Sequence, residues 1–136
     1  MNPDPELESL YRQARYVVEA DDVRLTIRLG DGNAALNAFL RERGIDTWAF
    51  MTAYNPHSTP LTESENEARQ ANLIDQLDGA GYTYLEGYGT GDDWDPEPSL
   101  FVLGISRDKA VSIAAGHGQH AILWGQAGGD AELVWC

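Results

Sequence analysis

Two short, nearly continuous apolar runs, residues 47–54 and 99–105, limit the folds that this chain can adopt. A strand that is apolar on both sides is typical of the centre of a sheet, where both faces are covered. Such strands require other elements packed over the sheet. The two runs therefore predict a central sheet with helices packed on it.

The segments around these runs alternate between strand and helix patterns. Residues 23–29 place apolar side chains at every second position, which predicts a strand with one buried face. The turn at residues 20–22 is short enough to pair this strand with residues 15–19 in a hairpin. Thr62 and Glu65 form a capping box, which predicts the start of a helix. The remaining predictions are helices at residues 34–43 and 107–115, a strand at 82–88, a polar loop at 89–96, and a closing hairpin of strands at 121–125 and 131–135.

The order of these elements predicts an α/β (α+β) fold. We expect a mixed β-sheet of about five to seven strands with about three helices packed on it. Strands near both chain ends are expected to pair antiparallel, because only short turns join them. The length of 136 residues fits one domain. We expect a flexible or helical N-terminal lead at residues 1–14 and a single domain at residues 15–136.

The net charge of −13 argues against several classes of partner. The chain has 22 acidic residues against 9 basic ones, whereas a nucleic-acid-binding protein needs a basic face. An anionic membrane surface is disfavoured on the same grounds, and no segment approaches the length of a membrane span. The single cysteine, Cys136, excludes an intrachain disulfide and a zinc site built from two cysteines of this chain. The N-terminal residues lack the apolar run of a secretory signal, so we expect a cytoplasmic protein.

The loop that follows the first apolar run is the first candidate site. Residues 52–58 carry Tyr54, Asn55 and Ser58 at the point where a strand emerges before a helix N-terminus. Ligands of α/β sheets bind beyond the carboxyl ends of strands, and the free N–H groups of a helix N-terminus suit an anion. The alternative is a structural turn in front of a capped helix.

One side of the helix that begins near Thr62 is the second candidate site. Glu65 has a structural role in the capping box, but Asn66, Arg69 and Asn72 fall along one side of the helix without such a role. This row of side chains faces either a ligand or the solvent, which is the usual surrounding of polar helix rows.

The segment that leads into the second apolar run, residues 94–99, is the third candidate site. Trp94 offers a ring for stacking on a flat ligand, and Ser99 begins the apolar run. Glu97 lies between two prolines, so its backbone is nearly fixed. Desolvation at this position would raise the pKa of the carboxyl group, as a general acid or base requires. The alternative is a rigid edge turn with an exposed glutamate.

The three histidines do not form a metal motif. His117 and His120 are three residues apart and His57 lies far upstream, a spacing that matches no common ligand pattern. We therefore predict no metal and no cofactor. His57 and His117 are candidates to assist Glu97 in catalysis. Gln119 leads directly into an apolar strand, and we expect its amide to face a ligand.

Four short motifs in these segments resemble a bacterial family. They are Thr52-Ala53-Tyr54-Asn55-Pro56-His57-Ser58, Glu65-Asn66, Glu97-Pro98-Ser99 and Gly118-Gln119. The pattern is similar to that of the domain of unknown function numbered thirty-two ninety-three, over about residues 16–133, with His117 where the family has a phenylalanine. The resemblance implies no activity. It implies that the following residues belong to a shared set of positions: Asn55, Ser58, Asn66, Glu97, Ser99 and Gln119.

These residues lead to one expected function and two alternatives. Most of them are neutral hydrogen-bonding or stacking groups, which recognise a ligand rather than react with it. We therefore expect a pocket around Asn55, Glu97 and Gln119 that binds a small polar, nucleotide-like ligand. One alternative is a hydrolase or transferase with Glu97 as general acid or base. The other is an acidic interaction module for a basic partner. Whether the chain is an enzyme, and its oligomeric state, stay open.

Overall fold

A computed structural model describes residues 5–20, 22–92 and 94–136. Four α-helices and seven β-strands alternate along this part of the chain, with one short 3-10 helix in the loop after the third strand. In chain order the elements are α1 Pro5–Gln13, β1 Arg15–Ala20, β2 Val23–Ile27, α2 Ala34–Glu42, β3 Thr47–Met51, the 3-10 helix Pro56–Ser58, α3 Glu63–Gly79, β4 Thr83–Gly91, β5 Trp94–Leu103, α4 Arg107–Gly116, β6 Ala121–Gln126 and β7 Glu132–Trp135.

The seven strands form one curled sheet in the order β2-β1-β4-β5-β3-β6-β7. Every named strand pair is antiparallel. An isolated β-bridge between Leu29 and Ala131 pairs two segments in parallel orientation, and the Gly30 N–H donates to the Ala131 carbonyl there at 3.1 Å. Leu29 follows the edge strand β2 and Ala131 precedes the edge strand β7, so the bridge joins the two edges and the sheet curls. The predicted fold class, a single α+β domain, is confirmed.

The two faces of the sheet carry separate hydrophobic clusters. Trp48 and Phe50 of β3 point to the concave face, where they pack with Leu36 and Leu40 of α2. The alternate residues of β3 point to the convex face, which α3 and α4 cover with side chains such as Leu73, Leu77 and Ile113. Because both faces are covered, β3 reads as one continuous apolar run, as the sequence predicted.

Capping side chains begin three of the helices. At α3 the Thr62 hydroxyl accepts the Glu65 N–H at 3.2 Å, and the Glu65 carboxylate accepts the Thr62 N–H at 3.1 Å. These two bonds form the predicted capping box. Asn33 caps α2 by accepting the Leu36 N–H, and Ser106 caps α4 by accepting the Lys109 N–H.

The strands predicted at residues 23–29 and 99–105 each end two residues earlier than predicted, at Ile27 and Leu103, and two other boundaries differ more. β3 ends at Met51 rather than at residue 54, because the Ala53 N–H donates to the side chain of Gln70 and not to a neighbouring strand. The predicted polar loop at residues 89–96 is instead part of a hairpin, in which β4 and β5 stay paired through Gly89↔Glu97 and Gly91↔Trp94. The prolines fit there because this half of β5 extends past the end of β3 and has one neighbour only. Asp93 of that loop, Asp21 of the predicted turn and residues 1–4 of the predicted lead lie outside the described residues.

Helix α1 differs from the other helices because none of its residues is fully buried. Tyr11 packs on the concave-face cluster, while Leu10 stays 44% exposed. The division of the chain into a lead and a domain at residue 14 stays a prediction. No helix within the described ranges has the length and hydrophobicity that a membrane crossing requires.

Candidate functional site

A cavity of about 310 Å³ lies at one end of the concave face, between α1 and the ends of several strands. Antiparallel pairing places the carboxyl end of β3 beside the amino ends of β5 and β6, so the loops that border these ends meet here. The lining is mainly apolar and includes four aromatic rings and six polar side chains. The aromatic residues are Tyr11, Tyr16, Phe50 and Tyr54, and the polar ones are Thr52, Asn55, Glu97, Ser99, Gln119 and His120.

Asn55 is the centre of the hydrogen-bond network beside the cavity. Its backbone is left-handed (φ 46°, ψ 63°), a conformation that asparagine adopts more readily than most residues. The Asn55 N–H donates to Asn66 Oδ1 at 2.8 Å, and Asn55 Oδ1 accepts from Asn66 Nδ2 at 2.8 Å and from the Leu61 N–H at 3.0 Å. Asn55 Nδ2 donates to Glu97 Oε2 at 3.2 Å. These bonds join the loop to both α3 and β5.

Gln70 of α3 is a second organising residue, which was not predicted as a site residue. Its Oε1 accepts the Ala53 N–H at 2.8 Å, and its Nε2 donates to the Pro98 carbonyl at 3.2 Å. The Thr52 hydroxyl donates to the same carbonyl at 2.7 Å. Gln70 lies four residues after Asn66, so both point inward from the same face of α3. That spacing was the only available signal.

Arg69 and Gln119 hold backbone carbonyls at the rim of the cavity. Arg69 Nε donates to the Ala53 carbonyl at 3.3 Å, and its Nη2 donates to the His117 carbonyl at 3.1 Å. Gln119 Nε2 donates to the Tyr54 carbonyl at 3.0 Å. The guanidinium of Arg69 is thus directed at the protein backbone, and Arg69 is not among the lining residues.

Glu97 is the acidic group of the cavity. Burial raises the pKa of its carboxyl group, and the hydrogen bond from Asn55 opposes that rise. The charge of Glu97 in turn adds to the effect of burial on two neighbouring tyrosines: the pKa of Tyr11 rises to about 12, and the pKa of Tyr16 rises further. Both hydroxyls are therefore neutral near pH 7. The Tyr16 hydroxyl donates to the Tyr11 carbonyl at 2.9 Å.

The histidines divide between the cavity and the surface. His120 lines the cavity, and its ring centroid lies 5.9 Å from that of His57, which is exposed and outside the lining. His117 is also outside the lining, where its Nε2 lies 2.8 Å from Gln76 Oε1, and burial lowers its pKa. The described residues contain no group of three or more potential metal ligands in position to hold an ion.

The predicted site residues therefore fall into three groups. Tyr54, Asn55, Glu97, Ser99 and Gln119 line the cavity. Asn66 and Arg69 lie behind the loop and support it, while Asn72 is exposed. The side chains of Ser58 and Trp94 lie outside the described part of the structure. The role of each residue in ligand binding stays a prediction. Tyr11 and Tyr16 of the lining were not predicted, because nothing in their local sequence distinguishes them from packing residues.

These features define a class: a small α+β domain with a curled antiparallel sheet and a ligand-sized cavity beside a network of amides and one carboxyl group. The chain belongs to the family described as Protein of unknown function (DUF3293), whose pattern matches residues 51–122. The match spans the loop, α3 and the Glu97 strand, and it confirms the predicted resemblance. Comparisons with curated proteins and with solved structures found no similar chain.

Proposed function

We propose that this protein binds a small organic molecule in the cavity between α1 and the curled sheet. The observation that carries the proposal is the cavity itself, about 310 Å³ of largely apolar space on which a few fixed polar groups converge. Ligand sites in proteins have this size and this composition. An apolar cavity of about 150 Å³ is large enough for benzene, so this one has room for a ring with a short substituent.

The surrounding network supports binding because it is already formed. Asn55, Asn66 and Gln70 fix the loop through bonds of 2.8 Å that need no ligand. A loop that is ordered before binding loses less conformational entropy when the ligand enters. The lining residues that the structure describes include no lysine or arginine, so the cavity favours a base-like or aromatic body over the phosphate of a nucleotide.

A thermal-shift screen of nucleosides, nucleotides, aromatic amines, alcohols and carboxylates tests this proposal. A compound present at about a hundred times its Kd adds roughly 2.7 kcal/mol, which is a shift of several degrees for a domain of this size. Ala121→Leu fills part of the cavity from β6 and should abolish the shift. Ala68→Leu, an exposed position on α3, is the matched control and should keep it. A screen without any stabilising compound, or one in which Ala121→Leu binds normally, contradicts the proposal.

Acid–base catalysis in the same cavity is a second candidate function. Burial raises the pKa of Glu97, and His120 lines the same space, so two titratable groups face one ligand position. A general acid or base is most effective when its pKa lies near the working pH. Turnover of a bound compound that is lost in both Glu97→Gln and His120→Ala would support catalysis. A complex that persists without product would favour binding alone.

A further inference from the structure

Among the described residues, Glu97 has no cationic partner, and its carboxyl group lies in the wall of a largely apolar cavity. The ion pairs of the described residues are Arg12–Glu8, Arg15–Asp92 and Arg24–Glu19. The hydrogen bond that Glu97 accepts comes from the neutral amide of Asn55, at 3.2 Å on Oε2. An ionised carboxylate that has lost water is costly unless a cation compensates it. His120 also lines the cavity, but it does not appear with Glu97 among the ion pairs of the described residues, so a ligand can bring such a cation into the cavity.

The remaining charges around the cavity do not supply that cation. Within the described part of the lining, His120 is the one basic side chain. The nearby Arg69 donates to the carbonyls of Ala53 and His117, so its guanidinium is already engaged. An anionic ligand would therefore meet the charge of Glu97, and the described lining residues include no arginine or lysine to offset that charge.

The aromatic residues of the lining also suit a cation. Tyr11, Tyr16, Phe50 and Tyr54 surround the same space as Glu97. The face of an aromatic ring attracts an ammonium group, and the attraction is stronger where water is excluded. The apolar remainder of the cavity accommodates a ring or a branched aliphatic body.

From these three observations we infer that the cavity selects a small organic amine, whose ammonium group pairs with Glu97 and whose apolar body packs among the tyrosines. This inference rests on the proposed function, since it names the class of ligand for the same cavity. In this arrangement Glu97 Oε1 accepts a hydrogen bond from the ammonium group of the ligand, while Asn55 Nδ2 donates to Oε2 and holds the carboxylate in place.

Three probes of nearly equal shape and different charge test the inference: benzylamine, which is protonated at pH 7, benzyl alcohol and benzoate. Isothermal titration calorimetry at pH 7 should give the tightest binding for benzylamine, weaker binding for benzyl alcohol and the weakest for benzoate. Glu97→Gln keeps the shape of the side chain and should lower the affinity for benzylamine about tenfold or more, to the level of the alcohol. Glu86→Gln removes the same charge from the exposed, opposite side of the sheet and should change nothing.

The outcomes separate this inference from the proposed function. If benzyl alcohol or benzoate binds as tightly as benzylamine, or if Glu97→Gln keeps the preference for the amine, the amine selectivity is wrong while the cavity still binds ligands. If none of the probes binds and the broader screen is also empty, both proposals are wrong. Should Glu97→Gln not fold, the ranking of the three probes in the unsubstituted protein decides the question by itself.

Discussion

Replacing Asn66 by alanine should destabilise the protein strongly, although asparagine on a helix is usually a surface residue. Asn66 is only 3% exposed and makes two hydrogen bonds of 2.8 Å to Asn55. Alanine removes both. The Asn55 N–H then has no acceptor, while Asn55 Oδ1 keeps the bond from the Leu61 N–H.

The expected magnitude follows from these separate contributions. A buried donor without a partner costs about 1–3 kcal/mol, and the loss of the second bond costs about 1 kcal/mol. The higher helix propensity of alanine offsets up to about 0.7 kcal/mol of this loss of stability. The net loss is about 2–3 kcal/mol. For a domain of this size each kcal/mol changes Tm by about 4 °C, so Tm should fall by roughly 10 °C.

Urea unfolding followed by circular dichroism measures this loss, provided that the m-value stays the same in both proteins. Asn72→Ala is the matched control, because Asn72 is exposed on the same helix and should be neutral or slightly stabilising when replaced. If the free energy of unfolding of Asn66→Ala lies within about 0.5 kcal/mol of that of the control, the bonds between Asn55 and Asn66 do not hold the loop, and the account of the site is refuted.

Three further predictions concern the sheet, the cavity and α1. A Cβ at Gly87 would overlap the carbonyl oxygen of Val17, so Gly87→Ala should lower the free energy of unfolding by about 1–3 kcal/mol. In the control Gly79→Ala the new Cβ meets no atom within 4 Å, so the free energy of unfolding should not fall. Because the pKa of Glu97 is raised in the folded protein, ionisation of this carboxyl group opposes folding. The free energy of unfolding of Glu97→Gln, relative to that of the unsubstituted protein, should therefore increase from about pH 4 through the raised pKa and then level off. If urea unfolding gives a difference that is constant with pH, this prediction is wrong. The amides of α1 should exchange with deuterium much faster than those of α3, because no residue of α1 is fully buried. Equal protection in both helices would show that α1 is firmly docked.

The sequence alone was enough to predict those elements that are determined by residues close together in the chain. The alternation in β2 and the capping box of α3 depend on residues within a few positions of each other. The continuous apolar runs of β3 and β5 indicate that both faces of the sheet are covered, although they do not identify the elements that cover them. Fold class could therefore be predicted from these local patterns, and the family from the resemblance of four short motifs; both are confirmed.

The tertiary structure decided which side chains meet at the cavity, because those contacts join residues far apart in the chain. Glu97 and Asn55 are 42 positions apart, and Gln119 and Tyr54 are 65 positions apart. The sequence alone could not distinguish a ligand-facing Asn66 from one that supports a loop, since both need the same residue at the same helix position. It also could not show that α1 completes the cavity, or that the bridge from Leu29 to Ala131 curls the sheet. The burial of Glu97, and with it the direction of its pKa shift, depends on the tertiary structure, because desolvation is set by every element that surrounds a group and not by its neighbours in the chain.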